Sequence, residues 1–170
     1  MQNQKSKRRM IYNVSVWILT FIWLCVIFYF SSQPSEESDE QTSFVINILS
    51  RLFNVDISQG GTIEQFGILH SIDFFVRKTA HLTEYAVLGV LSFLSLKEIS
   101  RKFEKQRLFQ MSSALIFCLL YAVSDEIHQM FVPGRSPMIR DVMIDFCGSL
   151  VGVGVCFIIV LIFGRIRKPI

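Results

Sequence analysis

The sequence predicts an all-α polytopic membrane protein: four transmembrane helices, with an amphipathic extracytoplasmic segment between the first and the second. Three observations predict it. Of the 170 residues, 51% are hydrophobic and only 18% charged, against roughly a quarter charged in an ordinary soluble domain. The apolar residues gather in blocks about 20 long, the helical length that crosses a hydrocarbon core of ~30 Å. Lysine and arginine collect at alternate ends of those blocks.

Residues 1–9 are polar and basic, with Lys5, Lys7, Arg8 and Arg9, and read as a cytoplasmic N-terminus. The domain proper runs over 10–164. Its first span, 10–30, is longer than a signal-peptide core and no A-x-A site follows it, so it reads as a retained anchor. The outer segment, 31–73, opens with acidic residues Glu36, Glu37, Asp39 and Glu40, a solvated face. Ser38-Asp39-Glu40-Gln41 has the form of a capping box. Phe44, Val45, Ile48, Leu49, Leu52 and Phe53 then recur at helical spacing, a stripe suited to a membrane surface. Gly60-Gly61 breaks the pattern, and Thr62-x-x-Gln65 restarts it with Ile63, Phe66, Leu69 and Ile72 on one face. The second span, 74–96, contains Arg77, Lys78, His81 and Glu84, which weaken its hydropathy. The third is 108–132, closed by the turn Pro133-Gly134-Arg135-Ser136-Pro137. The fourth is 142–164, and 165–170 is a short C-terminus.

Of the 17 lysines and arginines, twelve fall in the N-terminus, the 97–107 loop and the C-terminus. Cytoplasmic loops carry the basic excess. Both termini are therefore expected in the cytoplasm, with 31–73 and 133–140 outside. Cys25, Cys118, Cys147 and Cys156 all lie in apolar blocks without a CxxC pair and read as small packing residues. A net charge of +3 gives no reason to expect nucleic acid as a partner.

Ionisable residues inside a span are costly and usually face a protein interior or a water-filled cavity. Helix rise places Glu84 roughly 10 Å below the outer boundary, His81 about 6 Å, Asp125 about 5 Å, and Arg77, His128 and Asp145 near the boundary itself. Spacing groups them further. Arg77, His81 and Tyr85 are four apart, with Glu84 beside them; Tyr121, Asp125 and His128 form a second stripe, flanked by Glu126 and Gln129; Asp141 and Asp145 are four apart on the last span. Ser31, Ser32 and Gln33 end the first span at the same level. These residues, with Arg135 on the turn, predict an outward-facing polar pocket between the second, third and fourth spans.

The same residues carry a resemblance. Arg77-Lys78-x-Ala80-His81-x-x-Glu84-Tyr85 looks like the first signature of the VanZ-like family. Ser124-Asp125-Glu126-Ile127-His128-Gln129, Pro133-Gly134-Arg135 and Asp141 look like the second, and Phe30-Ser31-Ser32-Gln33 is also similar. Segment 34–73 has no matching signature. The family takes its name from a protein linked to resistance to teicoplanin, a lipid-bearing glycopeptide. The resemblance implies a four-helix protein of the bacterial cell membrane with a role in the envelope, and it implies no defined reaction.

Three readings of the pocket stay open at this stage. It binds a lipid-linked anionic envelope molecule and so influences susceptibility to lipoglycopeptides. Or it is an enzyme acting on a lipid headgroup or cell-wall precursor, with His81, Glu84, Asp125 and His128 as candidate acid–base groups. Or the charges lock the bundle of a structural partner protein. The residues assigned to ligand binding are Arg77, His81, Glu84, Tyr85, Asp125, Glu126, His128, Gln129, Arg135, Asp141 and Asp145. A metal variant would recruit His81, Glu84, Asp125 and His128, but no HExxH or comparable signature is present, and no metal or cofactor is assigned. The expected partners are membrane lipids or a lipid-linked precursor, with other membrane proteins as a further class; nothing in the sequence sets the oligomeric state. Lys78 reads as a snorkelling residue, His70 as part of the amphipathic stripe, and Ser92 and Ser95 as packing residues. Gly148, Gly152 and Gly154 are expected to let the last span approach a neighbour closely.

Overall fold

The computed structural model describes residues 2–34, 44, 48, 51, 63–100, 105–136 and 138–166. Among them the chain is helical, without strands: α1 (Gln2–Ser31), α2 (Ile63–Ser95), α3 (Lys97–Ser100), α4 (Gln106–Gln129) and α5 (Ile139–Ile166). Three stretches are long and apolar enough to cross a membrane, Ser6–Ser31, Gln106–Gln129 and Ile139–Phe163. Their outer surface is apolar: Phe21 is 68% exposed, Leu120 65%, Ile139 84% and Phe163 61%. A soluble monomer rarely shows so continuous an apolar surface, whereas lipid is its natural solvent. The chain is a helical membrane protein.

The expected outer segment and second span divide differently in the structure. The stripe restarting at Ile63 and the span expected from Phe74 are one continuous helix of 33 residues, about 50 Å long at the helical rise and longer than the hydrocarbon core. No Gly or Pro interrupts the interval between Ile72 and Phe75, so nothing forces a break there. The Ser38–Gln41 capping box and most of the 44–53 stripe lie outside the described residues; Phe44, Ile48 and Arg51 are helical and exposed. The third helix stops at Gln129, earlier than expected, because Met130–Gly134 already turn.

Glycine decides how closely the helices pack. A Cβ on Gly148 would meet the backbone carbonyl of Leu82, one on Gly152 that of Ala86, and one on Gly89 that of Ser149. A step of four along α2 thus matches a step of four along α5, and the two run parallel with their backbones in contact. They form the most extensive pairing in the fold. Gly148-x-x-x-Gly152 is the small-residue spacing that allows this within lipid, where dispersion between close backbones drives association. Gly154, expected to do the same, faces open space. Of the cysteines, only Cys118 is fully buried; Cys25 and Cys147 are exposed, so packing accounts for them less well than expected.

Two small cores complete the bundle. Ile27, Tyr85, Leu88, Cys118 and Ala122 form one, and Phe93, Ala114 and Val153 the other. α1 is tied in by polar bonds to backbone: Trp23 Nε1 donates to the Glu84 carbonyl (2.9 Å), and the Tyr121 hydroxyl donates to the Leu24 carbonyl (2.7 Å). Ser92 and Ser95 are buried packing residues, as the sequence suggested.

Candidate functional site

The glycine contact between α2 and α5 sets the site. Asp145 lies three residues before Gly148, so the register that seats Gly148 on Leu82 also sets Asp145 opposite His81. His81 Nδ1 and Asp145 Oδ1 are 3.5 Å apart. That is an ion-pair distance without hydrogen-bond alignment, and neither atom has a hydrogen-bond partner. From α4, Asp125 reaches the same point: a ring nitrogen of His81 and one carboxylate oxygen each from Asp125 and Asp145 lie within 4.8 Å of one another. Asp125 is 4% exposed and Asp145 2%.

Around this centre the polar groups are unequally satisfied. Gln129, one turn after Asp125, donates to Asp125 Oδ2 (3.2 Å) and to Ser31 Oγ at the end of α1 (3.0 Å). The other Asp125 oxygen, Oδ1, has no partner. Tyr85 is wholly buried in the cluster with Ile27 and Ala122, and its hydroxyl is also without a partner. The side chain of Glu84 is within electrostatic range of His81, Asp125 and Asp145. A buried polar atom without a partner costs on the order of 1–3 kcal/mol, and several such atoms sit together here.

The rim of the site is built by the turn between α4 and α5. Gly134 has φ 75°, a left-handed conformation that glycine adopts without strain. Arg135 follows it, half-buried, and its Nε donates to the Gln33 carbonyl at the end of α1 (3.2 Å). Burial lowers its pKa, opposed by the nearby charges of Asp125, Asp141 and Glu126, and a guanidinium stays charged regardless. Arg77, from α2, is close enough to Arg135 for the two charges to repel. Lys78 pairs with Asp141 at 2.6 Å, a bond from α2 to the start of α5 rather than the snorkelling to lipid that its position suggested. Glu126 accepts the Met138 backbone N–H and so fastens the approach to α5.

The residues drawn from the sequence therefore separate into three groups. His81, Asp125 and Asp145 form the centre, with Tyr85 and Glu84 beside them. Arg77 and Arg135 stand at the rim. Lys78, Glu126, Gln129 and Asp141 hold the helix ends together. His128 belongs with α1: its Nε2 hydrogen-bonds Ser32 Oγ (3.0 Å) and its ring packs on Phe28 with centroids 4.5 Å apart. The polar cluster thus draws on the end of α1 as well as on the other three long helices. Sequence reasoning missed Gly89, whose signal was its place seven residues after Leu82 on the helix face that meets α5.

This arrangement, titratable side chains from three helices meeting near one end of a membrane bundle, defines a class of polytopic membrane protein with a buried polar centre. A family model described as VanZ/LLP1 matches residues 16–161, nearly the whole helical domain. The chain belongs to the VanZ/LLP1 family. No curated protein and no solved structure matches it.

Proposed function

We propose that the protein is a four-span protein of the bacterial cell membrane whose polar centre opens outward and binds a lipid-linked anionic envelope molecule. One observation carries the reading. Arg77 and Arg135, from separate segments, lie within electrostatic range of each other at the rim. Two guanidiniums brought together at a membrane surface are stabilised by an anion between them, and their forked donors match phosphate or carboxylate oxygens. Beneath them lies a centre with unpartnered donors and acceptors, the kind of surface that completes its hydrogen bonds on a ligand.

α2 counts as the fourth span in this reading. Its charged residues keep it below an ordinary hydropathy limit, but Arg77, Lys78, His81 and Glu84 are partly buried against the other helices, which is how a span tolerates charge. The basic excess at 1–9, 97–107 and 165–168 sets both termini in the cytoplasm. A cysteine placed at Gln59 should then react with an impermeant label from outside and one at Gln106 should not; the reverse would remove the outward opening. An influence on susceptibility to lipoglycopeptides such as teicoplanin follows if the bound molecule is one that these antibiotics engage.

The deciding experiment measures binding of the purified chain, in neutral lipid nanodiscs, to a polyprenyl phosphate, with a neutral polyprenol as control. Selective binding that fails in Arg77→Ala and Arg135→Ala, both at normal membrane abundance, supports the reading. Equal retention of both lipids by the unaltered chain refutes it. Teicoplanin tolerance of cells with and without the chain tests the envelope role separately.

A further inference from the structure

The geometry points to a divalent metal site formed by His81, Asp125 and Asp145, with the Tyr85 hydroxyl beside it, on which the chain binds one zinc-like cation. The site goes beyond the anion-binding reading and does not depend on it.

The first support is convergence. One imidazole nitrogen and two carboxylate oxygens, from α2, α4 and α5, come within 4.8 Å of one another. Bonds from zinc to such atoms are ~2.0–2.2 Å, so the three close onto a common ion by side-chain adjustment of less than a bond length. The second support is independent of the first. Asp125 Oδ1, Asp145 Oδ1 and His81 Nδ1 have no hydrogen-bond partner although both aspartates are almost completely buried. Gln129 occupies only Oδ2 of Asp125; the oxygen it leaves over is unsatisfied. The Tyr85 hydroxyl lies within electrostatic range of both aspartates and yet hydrogen-bonds to neither.

Charge points the same way. Buried charges are paired or coordinate metals, and two carboxylates side by side at low dielectric repel strongly unless a cation or a shared proton joins them. Two of the nearby cations are engaged elsewhere: Lys78 pairs with Asp141 and Arg135 donates to Gln33. One imidazole with two carboxylates suits zinc or manganese better than magnesium or calcium, which favour all-oxygen sets. Three protein ligands leave a coordination position for water or for an oxygen of a bound anion. A scan for ligand types along the sequence does not find this set, because His81, Asp125 and Asp145 belong to three different stripes on three helices. His128, which a scan would include, is taken by Ser32.

The test needs no lipid ligand. The full chain, with Cys25 and Cys147 replaced by serine to remove exposed thiols, is purified in neutral nanodiscs, stripped with a chelator, and offered zinc, manganese, magnesium or calcium in turn. Bound metal is measured by elemental mass spectrometry after desalting. The expected result is about one zinc or manganese per chain, with affinity reduced at least about tenfold, the minimum cost of disturbing a metal shell, in Asp145→Asn, Asp125→Asn and the more conservative His81→Gln. Thr83→Ala, on the exposed face of α2, should load like the unaltered chain. Zinc should also raise the melting temperature of the unaltered chain and not that of the variants. Failure of the stripped chain to take up any of the four metals overturns the proposal in favour of a shared proton. So does stoichiometric loading that persists undiminished in His81→Gln and Asp145→Asn. Loss of polyprenyl phosphate binding with metal loading intact would defeat the anion reading and leave the metal site standing.

Discussion

The outer and middle layers of the bundle both bury polar side chains, and they treat them oppositely. In the middle the groups are uncharged and satisfied. Thr20 Oγ1 donates to the Val16 carbonyl, Ser95 Oγ to that of Leu91, Gln110 Nε2 to that of Phe93, and Ser149 Oγ to that of Asp145. In the outer layer the groups are titratable, and His81, Tyr85, Asp125 and Asp145 each keep an atom without a partner. The middle layer meets the demand that lipid imposes on any buried polar atom. Among the described residues, the outer layer leaves that demand unmet mainly where three helices converge, with Asp141 Oδ1 at the Lys78 pair as the other instance. A fold that satisfies its hydrogen bonds so thoroughly a few turns deeper has the means to do so above. The difference supports the proposal that the outer layer is a binding centre and the middle its framework.

The largest effect that sharpens this contrast comes from the framework. Gly152→Leu would drive a side chain into the backbone carbonyl of Ala86, and backbone cannot rotate away as a side chain does. Overpacking typically costs about 1–3 kcal/mol and more where the obstacle is rigid. We expect membrane abundance to fall severely and every binding property with it. Gly154→Leu, facing open space, should accumulate normally. Equal abundance of the two variants, read on membrane immunoblots, would break the argument that the α2–α5 register sets the site.

That register also explains what the sequence made legible. Hydropathy and basic asymmetry reveal spans because each is a property of one helix. Stripes such as Arg77, His81 and Tyr85 are legible for the same reason, since residues four apart share a face. Which stripe meets which is a relation between helices, and the clearest trace of it is the matched small-residue spacing. Gly148-x-x-x-Gly152 against Leu82-x-x-x-Ala86 fixes the register of α5 on α2 and brings Asp145 to His81. Without that step, His128 seemed equal to His81, although Ser32 and Phe28 draw it towards α1. The continuity of α2 was hidden differently: a surface stripe and a charged span look like separate elements when each is judged by hydropathy.

A middle-sized effect is expected at the rim. Arg135 spends Nε on Gln33, which fixes the guanidinium plane and leaves its two terminal nitrogens as a fork. Arg135→Lys keeps the charge and loses both the anchor and the fork. With charge-assisted hydrogen bonds worth about 1.5–3 kcal/mol, polyprenyl phosphate binding should weaken by roughly tenfold while abundance is unchanged. Arg135→Ala should weaken it further. Full binding by the alanine variant at normal abundance would reduce Arg135 to a brace for the turn and remove the rim from the site.

The smallest effect tests the other side of the contrast, the claim that middle-layer polar groups are framework and nothing more. Thr20 and Ser95 hydroxyls lie 2.8 Å apart, and each also lies 2.8 Å from a carbonyl of its own helix, Val16 and Leu91. A hydroxyl has one proton to donate. Two hydroxyls therefore supply two protons for three contacts, and one contact is always left without a donor. Ser95→Ala removes one hydroxyl and leaves Thr20 free to keep its bond to the Val16 carbonyl. What is lost is one exchangeable interhelical contact, of the kind worth about 0.6 kcal/mol on average between membrane helices. Denaturation of the purified chain in detergent should show a loss of that order, with metal loading and lipid binding unaltered. A loss of several kcal/mol would mean that the pair locks α1 onto α2, and a loss of metal loading would mean that the two layers act as one. Either result would end the division of labour on which the comparison rests.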